Sequence, residues 1–91
     1  MSPDWEVVGY VVSSTYRVEV LKRLTDSPAP PSTIAADTEC DISHVSRALQ
    51  DLRDRGLVDL LVPESRRKGR IYGITEDGYE VWGTIESQNL A

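Results

Sequence analysis

SHVSRALQDLRDRGLVDLLVPESRRKGRIYGI, residues 43–74, begins with a pattern that predicts an amphipathic helix. Its apolar residues recur at steps of three and four and therefore share one face of the helix: Val45, Ala48, Leu49 and Leu52. Ser43 is a good N-terminal cap for this helix, although Asp41 competes for that role. Arg55 and Gly56 predict its end, because glycine readily adopts the left-handed backbone that terminates helices.

Two short apolar segments follow this helix and predict a β-hairpin. The first covers residues 57–62 and the second covers residues 70–74, and the polar loop PESRRKG joins them. Upstream, residues 5–12 and 16–25 predict two helices. The proline-rich segment SPAPP at 27–31 ends the second of them, because proline cannot continue a helix.

The remaining elements complete a winged helix-turn-helix. A third helix over about residues 32–38 precedes the amphipathic helix by a short turn, and two helices joined in this way form a helix-turn-helix. Thr75, followed by two acidic residues, predicts the start of a last helix. The expected fold class is therefore mainly α with a small β-hairpin (α+β). We expect one domain over residues 1–91, with the helix-turn-helix at about 31–55, the wing at about 57–74 and the C-terminal helix at about 75–89.

Positive charge is concentrated between residues 43 and 70. Seven Lys/Arg and four Asp/Glu in this segment give a local net charge of +3. The other residues carry three basic and eleven acidic groups, a net charge of −8, which leaves the whole chain at −5. An acidic protein that gathers its cations on one helix and one hairpin is expected to bind a polyanion.

The sequence argues against several other classes of protein. Cys40 is the only cysteine and His44 the only histidine, so neither a disulfide framework nor a His/Cys metal site is expected within one chain. No nucleophile–base pair, phosphate-binding glycine motif or metal-ligand set appears, so we expect no enzyme and no cofactor. The first residues contain no signal peptide or membrane span, and we therefore expect a cytoplasmic protein.

Short motifs occur in order over roughly residues 12–80: YRVEVL at 16–21, PSTIA at 31–35, SHVSRAL at 43–49, RGLV at 55–58, KGRIY at 68–72 and ITEDG at 74–78. In this order they resemble the winged helix-turn-helix transcription regulators of prokaryotes, the broad ArsR/MarR-like group and especially its small archaeal members. The resemblance implies a sequence-specific DNA-binding transcriptional regulator whose partner is double-stranded DNA.

The chain also departs from that group. Its members often have glycine in the tight turn where this chain has Glu39 and Cys40, so a left-handed non-glycine residue is expected there. The Cys/His cluster of metal-sensing ArsR-type proteins is absent from the sequence, and the helices that would flank a MarR-type ligand cleft are short. The resemblance therefore implies neither metal sensing nor a response to a ligand for this chain.

The amphipathic helix supplies side chains of the types that read base edges in the major groove. Arg47 is expected to bind guanine and Gln50 adenine, unless Arg47 instead pairs with Asp51 one turn later. His44 either caps the helix or touches a phosphate, and the wing cations are expected on phosphates and in the minor groove. Backbone N–H groups near the start of the third helix are also expected to meet a phosphate. The predicted DNA-binding residues are Ser32, Thr33, Ser43, His44, Ser46, Arg47, Gln50, Arg66, Arg67, Lys68 and Arg70.

A homodimer is expected because the first helix is apolar on nearly every side and needs to be covered. In this prediction it packs across a two-fold axis against an apolar stripe of the last helix. The predicted interface residues are Trp5, Val8, Val12, Tyr79, Trp82 and Ile85. No membrane and no metal ion is expected as a partner.

Two alternatives to a DNA-binding regulator stay open at this point. Acidic residues on the amphipathic helix allow a winged-helix protein–protein interaction module that does not bind DNA. Cys40, in the turn, allows a thiol-based redox-responsive regulator, although a lone cysteine in a small domain is more often an inert apolar residue.

Overall fold

Five α-helices and one β-hairpin make up residues 4–63 and 69–90, the part of the chain that the computed structural model describes. They follow one another as α1 (Trp5–Val12), α2 (Thr15–Leu24), α3 (Pro31–Thr38), α4 (Ile42–Asp54), β1 (Val58–Leu60), β2 (Tyr72–Ile74) and α5 (Glu76–Ser87). The two strands are antiparallel, with Val58 opposite Ile74. This mainly helical fold with a two-stranded hairpin confirms the fold class predicted from the sequence.

Side-chain caps start three of these helices. The Asp4 carboxylate accepts hydrogen bonds from the backbone N–H groups of Glu6 and Val7, at 3.1 and 3.3 Å. Ser14 caps α2, and Thr75 caps α5 as the sequence predicts. Each cap gives a partner to N–H groups that the first turn of a helix leaves without one.

The start of α4 differs from the prediction. Its N-cap is Asp41, and α4 begins at Ile42, so the capping role predicted for Ser43 is wrong. Ser43 instead lies in the first turn, where it is exposed. Both residue types favour the N-cap position, and the choice between them depends on where the preceding turn ends.

The hairpin strands are about half as long as predicted. β1 and β2 contain three residues each. Ala29, in the loop before α3, exchanges two backbone hydrogen bonds of 3.0 Å with Tyr72 of β2. This isolated bridge anchors the base of the hairpin to the helix-turn-helix.

The core lies between α2 and α4, and the other helices pack around it. The predicted apolar face of α4 is buried in full: Val45, Ala48, Leu49 and Leu52. From α2, Val20, Leu21 and Leu24 join the same buried cluster. Burial of each large aliphatic side chain contributes about 1.5–3 kcal/mol, so this contact dominates the packing of the helix-turn-helix.

Helix α1 packs against α5 of the same chain, which corrects the predicted arrangement across a two-fold axis. Val8 and Ile85 are 1% and 0% exposed within the single chain. Helix α5 faces the core through Gly78, Val81 and Ile85, whereas Tyr79 is 53% exposed. A repeat of three residues drifts around a helix of 3.6 residues per turn, so the predicted stripe does not stay on one face.

The turn between α3 and α4 contains the left-handed residue that the resemblance predicts. Glu39 has φ 58° and ψ 30°, and its backbone N–H donates to Ala35 O. A left-handed non-glycine residue costs about 1–2 kcal/mol. The packing of α3 and α4 on the common core offsets this cost and fixes the angle between the two helices.

Helix α5 approaches the hairpin closely at Gly78. A Cβ atom added there would collide with Leu57 O and would lie 2.6 Å from Ile74 Cγ1. Gly83, in the same helix, has no atom within 4 Å of the corresponding position. The two glycines therefore differ in what a methyl group would meet, although both are helical.

Gly78→Ala is expected to lower the free energy of unfolding by about 1–3 kcal/mol, because the added methyl group pushes α5 away from the hairpin. Gly83→Ala is the matched control and is expected to raise it by up to about 1 kcal/mol through helix propensity. Urea unfolding followed by circular dichroism measures both variants. Equal stability of the two variants would show that this close approach does not exist in solution.

Candidate nucleic-acid interface

The side of α4 opposite the core is exposed and polar. Its residues form a surface that we call the polar face of α4: Ser43, Ser46, Arg47, Gln50 and Asp54. An α-helix with its side chains is about 10–12 Å wide, which matches the width of about 12 Å of the DNA major groove. The structure therefore brings the predicted residues of α4, except His44, together on one surface of suitable size.

Arg47 lies on the polar face with no partner in the described part of the chain. Its side chain is exposed and forms no hydrogen bond or ion pair with residues 4–63 or 69–90. The alternative predicted from the sequence, an ion pair with Asp51, does not form, because Asp51 pairs with Arg17 instead. The guanidinium group of Arg47 is therefore accessible to a ligand.

Gln50 has a partner on the same face. Its Nε2 atom donates a hydrogen bond to Asp54 Oδ1 at 2.9 Å, one turn further along α4. Both side chains are exposed. The amide nitrogen of Gln50 can contact a base only after this hydrogen bond is broken. Binding through Gln50 therefore has a cost that binding through Arg47 does not have.

Arg17 connects α4 to α1 and α2 through a set of contacts that we call the Arg17 brace. Its Nε lies 3.4 Å from Asp51 Oδ2, and its Nη1 donates to Tyr10 O at 2.6 Å and to Ser13 Oγ at 3.0 Å. The guanidinium carbons of Arg17 and Arg55 lie 3.9 and 4.1 Å from the centroid of the Tyr10 ring. Because Asp51 lies in the last turns of α4 and Arg55 is its C-terminal cap, the brace holds the C-terminal part of this helix.

His44 lies beside the polar face and stacks on Tyr16 of α2. The two ring centroids are 4.2 Å apart, and the ring planes differ by 8°. His44 and Asp51 are two helical turns apart, so both lie on the flank of α4 that faces α2. The capping role considered for His44 is wrong, because the N-cap is Asp41 and His44 lies inside the helix.

Sequence reasoning did not identify Tyr16 as a functional candidate. It is 40% exposed, although it is a large aromatic residue, and it lies beside a predicted DNA-binding residue. No local pattern signals this position, because the stacking partner is far away in the sequence. The sequence shows that the adjacent Arg17 is a basic residue, but it does not show which residues of α1 and α4 are its partners.

Ser32 and Thr33 are exposed in the first turn of α3. The N–H group of Thr33 donates to Pro30 O at 3.1 Å and is therefore not available to a phosphate. The predicted backbone contact is wrong for Thr33, and the contact predicted for the backbone N–H group of Ser32 stays a prediction.

The sequence predicts four cations in the wing: Arg66, Arg67, Lys68 and Arg70. Arg66, Arg67 and Lys68 are outside the described residues, so their phosphate contacts stay predictions. Arg70 is described and is partly buried. The wing begins where α4 ends, because Gly56 turns the chain from the helix into β1 with a φ of 74°.

The predicted dimer residues differ in accessibility. Trp5 and Tyr79 are 54% and 53% exposed, and Val12 and Trp82 are partly buried. Two others are enclosed in the core and are not available to a second subunit, which corrects the prediction: Val8 and Ile85.

Cys40 is partly buried and packs against the core, with its Sγ 3.6 Å from Thr38 O. Within residues 4–63 and 69–90, no group of three His, Cys, Asp or Glu side chains is arranged to hold a metal ion. In the same part of the chain, no helix combines the length and the apolar character that a membrane span requires.

The fold and the polar face define a winged helix-turn-helix protein of MarR-like type. The MarR family transcription regulator SP03579 superposes with a TM-score of 0.77 at 17% identity, over 93% of this chain and 60% of its own. A MarR family regulator from Silicibacter pomeroyi gives a TM-score of 0.72 at 27% identity, over 81% of this chain and 50% of its own. AbsC, a MarR family regulator from Streptomyces coelicolor, gives 0.71 at 24% identity, over 85% and 54%. The chain thus spans half to three fifths of the length of these proteins. At these identities, the structural similarity shows that the chain shares their fold.

The chain belongs to the family described as the HVO_A0261 N-terminal domain, which matches residues 5–89. No curated protein matches its sequence.

Arg17→Lys is expected to lower the free energy of unfolding by about 1–3 kcal/mol. An ammonium group keeps the charge, but its donors are on one nitrogen, so it cannot replace the planar group that reaches Asp51, Tyr10 O and Ser13 from two nitrogens. The side chains of Arg17 and Asp51 are only 19% and 27% exposed, so water replaces these bonds poorly. Lys22→Ala, on the exposed side of α2, is the control and should change stability by less than about 0.5 kcal/mol. Urea unfolding followed by tryptophan fluorescence measures both. A loss no larger than that of the control would contradict the brace.

Proposed function

We propose that the chain binds double-stranded DNA in a sequence-specific manner and regulates transcription by occupying promoter DNA. The observation that carries this proposal is the exposed Arg47 on the polar face of α4, unpaired among the described residues. In a winged helix-turn-helix, this helix is the one that enters the major groove. Repression by blocking the polymerase is the default mechanism.

The polar face is suited to direct readout of bases. Arg47 donates two hydrogen bonds to guanine, and Ser43 and Ser46 read either donors or acceptors. Gln50 binds adenine once its bond to Asp54 is released. The carboxylate of Asp54 repels phosphate and therefore marks the end of α4 that leaves the groove.

The contacts around this face are expected to be less specific. The wing cations Arg66, Arg67, Lys68 and Arg70 neutralise phosphates, and the hydroxyl groups of Ser32 and Thr33 add neutral contacts. His44 contacts a phosphate from the flank of α4. These roles rest on residue type and on the local net charge of +3 between residues 43 and 70.

The comparisons support the regulator class through proteins described as MarR family transcription regulators. A likeness to ArsR-type and small archaeal regulators is a further proposal, and it rests on the sequence motifs. We also propose that residues 1–91 work as one domain without a bound cofactor or an enzymatic activity.

A homodimer is part of the proposal. Trp5 and Tyr79 expose large apolar surfaces on α1 and α5, two helices that pack against each other within the chain. Val12 and Trp82 are partly buried, and we propose that a second copy covers the accessible parts of all four residues. Two copies related by a two-fold axis place two α4 helices in successive major grooves, so half-sites about 10 base pairs apart are expected.

A protein–protein interaction module without DNA binding is the second candidate function. The observation that favours it is the acidic end of the polar face, where Asp54 is exposed. The net charge of −8 outside residues 43–70 also disfavours approach to DNA from most directions. Titration of labelled genomic DNA fragments separates the two functions.

Arg47→Ala is expected to reduce affinity for the preferred DNA site by about 1–3 kcal/mol, that is roughly fivefold to 160-fold, and to relax the preference at one base pair. Lys22→Ala, whose side chain is exposed on α2, is the control and should bind like the parent. Fluorescence anisotropy at a fixed salt concentration, with selected and unrelated duplexes, measures both effects. If the Arg47 variant keeps full affinity and preference, the polar face is not the reading surface.

Trp5→Glu is expected to shift the chain from dimer to monomer at micromolar concentrations, because a buried unpaired carboxylate at the interface is costly. Ser27→Glu adds the same charge to the exposed loop before α3 and should leave the dimer intact. Sedimentation velocity over a concentration series measures the change. A parent chain that sediments as a monomer throughout would rule out the dimer.

A further inference from the structure

We propose that Tyr16 of α2 contacts the DNA backbone through its hydroxyl group, and that its ring positions His44 for a second backbone contact. The inference rests on the proposed function, because it assigns a new residue to the same interface. The observation behind it is the exposed parallel stack of the two rings.

The two rings stack closely and nearly parallel. Its ring planes are within 8° of parallel at a centroid distance of 4.2 Å. Tyr16 directly precedes Arg17, whose side chain is fixed by the brace to Asp51 on the same flank of α4. Two adjacent residues of α2 therefore hold two positions of α4 that are two turns apart.

The flank that carries the stack faces the wall of the groove. When a helix lies in the major groove, the centre of its outer face meets the base edges and its flanks meet the two phosphate backbones that border the groove. Ser43 and Gln50 lie near the centre of the polar face, and Arg47 lies between them and the flank toward α2, which carries His44 and Asp51. Because α2 borders α4 on this side, an exposed group of α2 is brought to the same backbone.

The chemistry of the pair fits neutral contacts to phosphate. The Tyr16 hydroxyl forms no hydrogen bond with the described residues, and the residue is 40% exposed. Tyrosine hydroxyl groups are among the neutral donors that bind phosphate oxygens. The stack holds the His44 ring against Tyr16, which restricts the direction in which its N–H group can donate.

The first test is Tyr16→Phe, which keeps the ring and the stack and removes only the hydroxyl group. We expect a loss of about threefold to tenfold in DNA affinity, the effect of one hydrogen bond. The loss should be equal on preferred and unrelated duplexes, because phosphate contacts carry no sequence information. The slope of log affinity against log salt should not change, since a neutral hydroxyl group releases no counterion.

Ser87→Ala is the matched control for the removal of a hydroxyl group. Ser87 lies at the end of α5, outside the helix-turn-helix, and its hydroxyl donates only within that helix, to Thr84 O. This variant should bind DNA like the parent. Parent-like affinity of Tyr16→Phe would overturn the contact, and a loss confined to one sequence would overturn its assignment to the backbone.

The second test is a double-mutant cycle for the positioning role. His44→Ala should lower DNA affinity by the same factor in the parent and in Tyr16→Phe, because the ring that orients His44 is kept. In Tyr16→Ala, where the ring is lost, the factor by which His44→Ala lowers DNA affinity should be at least threefold smaller. Equal costs in all three backgrounds would overturn the positioning role, and unfolding curves verify that each variant is folded at the assay temperature.

Failure of this inference and failure of the proposed function give different results. A parent chain that binds no DNA removes both. A parent that binds DNA and responds to Arg47→Ala, but not to Tyr16→Phe, removes only the role of Tyr16.

Discussion

Burial of the single apolar face of α4 against α2 is the constraint on which the rest of the structure depends. Once Val45, Leu49 and Leu52 are enclosed, the helix cannot rotate without exposing them, at a cost of about 1.5–3 kcal/mol for each large side chain. The exposed polar face is therefore a consequence of the core. Packing thus fixes which side chains a ligand can meet before any ligand is present.

The Arg17 brace then decides the charge of that face. On an isolated helix, Arg47 and Asp51 would pair at a spacing of four residues, which contributes only about 0.2–0.5 kcal/mol. Arg17 offers Asp51 a partly buried partner that is itself fixed by Tyr10 and Ser13. This competition removes the acid that would have neutralised Arg47. A residue on another helix therefore leaves Arg47 as an exposed cation on this face, without an ion pair in the described part of the chain.

Local patterns predicted the features that depend on local physics. The period of α4, its end at Gly56 and the cap at Thr75 follow from side-chain spacing or backbone sterics. The left-handed residue at Glu39 was predicted from the resemblance. The fold class followed from the order of these elements.

Other features depend on which segments meet in three dimensions, and the sequence could not supply them. An apolar α1 must be covered, but its sequence does not say whether its own α5 or a second chain covers it, and Val8 and Ile85 were misassigned for this reason. The competition between Ser43 and Asp41 for the cap of α4 depended on the length of the preceding turn. The stack of Tyr16 on His44 joins residues of different helices, so no periodic signal marks it.

The acidic character of the chain is compatible with a DNA partner because electrostatic interactions have a short range in salt. At physiological ionic strength the Debye length is about 8 Å, so exposed carboxylates farther than this from the groove are largely screened. The acids that matter most are those on α4 itself, and the structure gives both of them partners, Arg17 for Asp51 and Gln50 for Asp54. Carboxylates outside α4 mainly affect the orientation in which the protein approaches a polyanion, because they repel it from every other surface. Under the proposed function, this charge distribution favours an approach to DNA with the polar face of α4 in front and disfavours misoriented complexes.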